Sequence, residues 1–141
     1  MTRMLLDNSV LQRLSRAPAI VSAVQERIEQ GDVLCSCPTL ALEAGFSARN
    51  LTDHAGIIER LTADFDLLPL ALEVGDLAID LQKSLFEAGQ GRAVGVVDLL
   101  TAATAVWHDA TVLHYDGDFE LVAAVDSRVR QRWAVPRGSV D

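Results

Sequence analysis

The chain has 141 residues, with 12 Lys and Arg against 20 Asp and Glu, a formal net charge of −8, and half of its residues are hydrophobic. That length and composition suit one packed domain with a sizeable core, and the acid excess excludes a protein that holds nucleic acid on a broad cationic surface. An enzyme acting on nucleic acid is not excluded, because a carboxylate cluster filled by divalent cations becomes locally positive.

In chain order, "RMLLD" at the start is a short apolar run that reads as a buried strand. It is no signal-peptide h-region, so no secretory leader is expected. "NSVLQRLSR" places Val10, Leu11 and Leu14 at helical spacing, with Asn8 or Ser9 able to cap the helix, and Pro18 breaks it. "IVSAVQERIEQG" is a second helix, apolar at Ile20, Val21, Val24 and Ile28, ended by Gly31. "DVLCSC" is a second strand. Its Cys35 and Cys37 are spaced for neither a disulfide framework nor a zinc site, and read as two inward-facing thiols of a cytoplasmic protein.

Pro38 opens the next helix, "PTLALEAGFSA", where its missing N–H costs nothing. "NLTDHAGIIERLTAD" is a further helix, and "FDLLPL" contains a third short strand. A long amphipathic helix runs from Glu73 to Ala88, followed by the glycine-rich loop "GQGR". "GVVDLLTAATAVWHDA" is helical, "TVLHYD" a strand, "GDFELVAAV" a last short helix and "QRWAV" a final strand. No apolar run reaches the ~20 residues of a membrane span. Helices alternating with strands, over connections too long for hairpins, predict an α/β domain with a mostly parallel sheet flanked by helices. Arg128, Arg130, Arg132 and Arg137 crowd the C-terminal stretch "SRVRQRWAVPRG". It reads as a solvated edge strand in preference to a phosphate-contacting patch.

Open parallel sheets bind ligands at the carboxyl ends of their strands. Asp7 closes the first strand there, and Asp116 and Asp118 follow the strand "TVLHY". Asp98 lies in the first turn of a helix entered from the glycine-rich loop, where a carboxylate is favoured. Glu43 is the only charged residue of an otherwise apolar helix, and a buried charge without a partner is costly. Taken singly, Asp7 reads as a cap, Asp116 as a turn residue and Asp98 as a helix-start acid. Their joint occurrence points to an all-oxygen site for a hard cation such as Mg²⁺ or Mn²⁺, since His54, His108 and His114 share no motif.

Four blocks in this order, "LLDNSVL", "LALEAG", "GVVDLLTAATA" and "LHYDGDFE", resemble the signature blocks of the PIN domain, above all the compact VapC toxins of type II toxin–antitoxin pairs. The resemblance spans essentially the whole chain. It implies a single PIN domain over 1–141, with a three-layer α/β/α architecture around a mostly parallel sheet. It places the acidic constellation on Asp7, Glu43, Asp98 and Asp116, with Asp118 auxiliary, and matches Ser9 to a small hydroxyl residue two positions after the first aspartate. It further implies Mg²⁺- or Mn²⁺-dependent endoribonuclease activity on a structured RNA such as tRNA, a homodimer, and a VapB-type antitoxin that occludes the site.

On that reading Asp7, Asp98 and Asp116 hold the principal ion, Glu43 holds it or orients the attacking water, and Asp118 completes a second site. The chain departs from the family at His114, where Thr or Ser is frequent, and at Asn8, in place of a frequent Thr. A PIN-fold interaction module with little or no nuclease activity is the alternative. An aspartyl-phosphate phosphatase is disfavoured, because Ser9 stands where a second acid belongs. Trp107 and Trp133 are candidate interface anchors where exposed.

Overall fold

The computed structural model describes residues 1–141. The elements follow as β1 (Arg3–Leu6), α1 (Asn8–Leu11), α2 (Pro18–Glu29), β2 (Val33–Ser36), α3 (Pro38–Phe46), α4 (Leu51–Asp64), β3 (Asp66–Leu67), α5 (Leu72–Glu87), α6 (Val96–Trp107), β4 (Thr111–His114), α7 (Asp118–Val125) and β5 (Gln131–Trp133). The strands form one sheet in the order β3-β2-β1-β4-β5, and every pair is parallel. β1 is central, with Leu5 facing Cys35 of β2 on one side and Val112 of β4 on the other. Met4, Leu5, Leu6, Val112 and Leu113 are all buried, the continuous apolar run of a strand covered on both faces.

The chain steps outward from β1 to β2 and β3, then returns to the other side of β1 for β4 and β5. Right-handed crossovers in these two directions put helices on both faces, and the reversal opens a crevice at the carboxyl ends of β1 and β4. Alternation along β4 separates the layers. Leu113 shares a surface hollow with Ala23 and Arg27 of α2, whereas the His114 ring lies 5.1 Å from that of Phe119 in α7. The core is one cluster, from Met4 in β1 to Val129 before β5.

Two expectations for the N-terminal region are corrected. α1 is a single turn, and its cap is Asp7, not Asn8 or Ser9: the Asp7 Oδ2 accepts the Ser9 N–H at 3.0 Å. Pro18 does not stop α1 but opens α2 at its first position, because proline keeps the preceding Ala17 extended (φ −121°, ψ 96°) and out of the helical region. Gly31 follows α2 with φ +88°, the left-handed conformation glycine adopts without strain. Cys35 and Cys37 are free and buried. No helix is long and apolar enough to cross a membrane.

Candidate active site

The crevice gathers carboxylates from distant parts of the chain. Asp7 extends β1 by one bond, its N–H donating to Leu113 O at 3.0 Å, and this pairing aims its side chain past the strand end. Asp116 follows β4, and its Oδ1 accepts the Asp118 N–H at 3.0 Å. Asp98 enters from the first turn of α6, behind Gly95 at the N-cap. One carboxylate oxygen from each of Asp7, Asp98 and Asp116 lies within 4.8 Å of the other two. Glu43 of α3 borders this group, and Asp118 at the start of α7 touches it through a carboxyl hydrogen bond with Asp98.

No cation neutralises the cluster. The ion pairs of the protein lie elsewhere, as in Arg27–Asp32 and Arg128–Asp126. Burial, then the charges of Asp7 and Asp116, pushes the Asp98 carboxyl up to about 8. The same causes in the same order raise Glu43. Burial and Asp116 raise Asp118. Two buried oxygens, Asp7 Oδ1 and Glu43 Oε1, have no hydrogen-bond partner. An all-carboxylate set with orphaned buried acceptors fits a hard divalent cation, which takes oxygen ligands and removes the mutual repulsion.

Three supports of this geometry were not legible from spacing. The Ser9 Oγ accepts the Tyr115 N–H at 2.9 Å, which ties the turn after β1 to the end of β4. His114 is fully buried and hydrogen-bonded through both nitrogens. Its Nδ1 accepts the Asp116 N–H at 3.1 Å, so its Nε2–H donates to Gln131 Oε1 at 2.6 Å. Burial lowers its pKa, which keeps the ring neutral. A third link runs from Cys37 Sγ to Thr39 Oγ1 (3.0 Å) and on to Thr101 Oγ1 (3.2 Å). It couples α3, which carries Glu43, to α6, which carries Asp98.

Sheet order, switch point and acid crevice define a doubly wound α/β protein with an all-carboxylate site. Residues 4–125 match the PIN domain family. Ribonuclease VapC51 of Mycobacterium tuberculosis H37Rv is 42% identical over 137 residues, 97% of this chain and 96% of the relative. Ribonuclease VapC21 of the same organism is 36% identical over 98% of both chains. The chain therefore belongs to the PIN domain family, among the VapC ribonucleases. The fold agrees with that of VapBC-1 from nontypeable Haemophilus influenzae (TM-score 0.77, 18% identity, 94% of this chain and 98% of the other). It agrees equally with VapBC2 from Rickettsia felis bound to a DNA fragment from its promoter (TM-score 0.75, 10% identity, 93% and 98%).

Proposed function

We propose that residues 1–141 form one PIN domain that acts as a Mg²⁺- or Mn²⁺-dependent endoribonuclease, with Asp7, Asp98, Asp116 and Glu43 as its catalytic carboxylates. One observation carries this reading: Asp7, Asp98 and Asp116 converge within 4.8 Å of one another with no Lys or Arg paired to them. The curated relatives named ribonucleases support the substrate class.

Asp7, Asp98 and Asp116 would hold the ion, with Asp118 beside Asp116 available to a second one. The ion, when bound, supplies charge stabilisation to the attacking and leaving oxygens of the phosphodiester. Burial and the charges of Asp7 and Asp116 raise the Asp98 carboxyl to about 8, so a cation held there would compete with its proton. Glu43, raised by burial and by Asp7 and Asp116, orients the attacking water from the edge of the group. Asp116 is held from two sides, by the Asp118 N–H on its carboxylate and by the His114 ring on its own N–H.

The substrate is a structured RNA, of which tRNA is the favoured case, and the setting is cytoplasmic. The partner is a VapB-type antitoxin, and the working form a homodimer. The solved VapBC complexes of like fold support the antitoxin, as does a groove of about 410 Å³ that starts at Asn8 beside Asp7 and is lined by Leu11, Leu14, Ile57, Leu61 and Phe65. An apolar helix could lie there and lend a cation to the acid pocket.

The test is cleavage mapping on total RNA and on purified tRNA with antitoxin-free protein, in millimolar Mg²⁺, in Mn²⁺ and in EDTA. Cuts at discrete positions, lost in EDTA, are expected. RNA left intact in both metals would leave the chain as a PIN-fold interaction module.

A further inference from the structure

The four C-terminal arginines have different fates. Arg128 pairs with Asp126 and Arg130 with Asp109. Arg132 sits on the other side of β5 from the site, beside Glu26 and Arg27 of α2. Arg137 alone packs against the turn that carries Asp116 and Asp118. Its guanidinium lies 5.7 Å over the Trp133 ring, and 3.4 Å from where a Cβ on Gly117 would stand. Gly117 is the residue between Asp116 and Asp118.

The segment around Arg137 is anchored from behind. Tyr115 Oη donates to Val140 O at 2.8 Å and accepts the Val140 N–H at 3.1 Å. Arg13 Nε donates to the Asp141 main-chain oxygen at 2.7 Å. Arg13 is itself spent, with a second bond to Ser9 O and its guanidinium stacked 4.8 Å over Tyr115. Arg137 makes no hydrogen bond and no ion pair. A stacked guanidinium with an empty donor fork, beside a turn whose two acids form the site, is positioned for an anion that enters with the substrate. The fork of arginine matches the paired oxygens of a phosphate.

We propose that Arg137 binds a backbone phosphate of the RNA at the rim of the carboxylate crevice, with Trp133 as its platform. This rests on the ribonuclease reading and assigns a phosphate contact to the turn beside the acids.

The test measures tRNA binding by fluorescence anisotropy over a salt series in the cleavage-blocked Asp98→Asn background, with Arg137→Ala and Arg137→Lys. Steady-state cleavage of the same tRNA is measured with the two Arg137 substitutions alone. Arg137→Ala should weaken binding and raise KM roughly ten-fold, with a smaller change in kcat. It should also flatten the slope of log K against log salt by about 0.7–0.9, the share of one phosphate. Arg137→Lys should restore the slope and only part of the affinity, because lysine is a point charge without the fork. Melting temperatures should not move. Arg137→Ala with wild-type affinity and slope overturns the proposal, and so does a loss that follows a lowered melting temperature and is not relieved by Arg137→Lys. Absence of cleavage by the wild-type protein would strike the ribonuclease reading alone, since the binding series does not need turnover.

Discussion

Ser9 and Tyr115, 106 residues apart, meet at 2.9 Å where the Ser9 hydroxyl accepts the Tyr115 N–H. The Asp7 Oδ2 in turn accepts the Ser9 N–H, so one serine couples the acid after β1 to the backbone that presents Asp116. Ser9→Ala leaves the Tyr115 N–H without its acceptor. It should cost about 1–2 kcal/mol in urea denaturation and lower RNA cleavage further than that loss explains, because the two acids lose their common tether. Ser9→Thr, which keeps the hydroxyl, should retain most of both.

Asp98→Asn should abolish cleavage without harming the metal-free fold. At neutral pH the folded Asp98 must hold a proton that the unfolded aspartate gives up, and an amide there escapes that cost, so apo stability should stay level or rise by on the order of 1 kcal/mol, discounted because the pocket is partly open to water. Mn²⁺ at a hundred times its Kd should stabilise the wild type by about 2.7 kcal/mol and the variant less. Thermal melts in EDTA and in Mn²⁺ check both points. Equal metal shifts with a destabilised variant would return Asp98 to the role of a helix-start acid.

The metal-free protein should become more stable as pH falls from about 8 towards 6.5. The folded Asp98 takes up its proton near 8, whereas an unfolded aspartate does so near its ordinary value of about 3.9. Between those limits the folded state binds more protons, and stability falls as pH rises. Glu43 and Asp118, also raised, act with the same sign. His114 opposes them below about 6.5, because its buried ring resists the proton that the unfolded chain accepts. Melts in EDTA at steps from pH 6.5 to 9 read the Asp98 contribution. A flat profile would mean that Asp98 is ionised throughout.

His114→Ala should be among the more damaging single changes outside the acids. It empties a buried space between the rings of Phe119 and Trp133, which costs about 2–4 kcal/mol, and it orphans the Asp116 N–H. His114→Asn offers an amide oxygen near the place of Nδ1, so it should recover more activity than stability. Urea denaturation and initial cleavage rates of both variants, side by side, check this ordering.

Every strand and helix was legible from periodicity and from proline and glycine punctuation, because those signals are local. Their lengths were less so: α1 stops after Leu11 although Leu14 continues its apolar period. Asp7 was legible as a cap or as a site acid; the cap is seen in Oδ2, which accepts the Ser9 N–H, while Oδ1 is left without a partner and free for the other role. The meetings of His114 with Gln131 and of Thr39 with Thr101 depend on which strands and helices become neighbours, so no spacing announces them. The same holds for the arginines. One dense run in the sequence is divided by strand alternation and local pairing into four separate environments.

The central position of β1 also orders events in time. β1 pairs with β2 across a short stretch of chain, whereas its other edge waits for β4, more than a hundred residues downstream. Closing that longer loop costs about 1 kcal/mol more chain entropy than the β1–β2 loop, and only it brings Asp116 to Asp7. The three carboxylates therefore come together only after β4 has been made and has docked on β1, late in the order of synthesis.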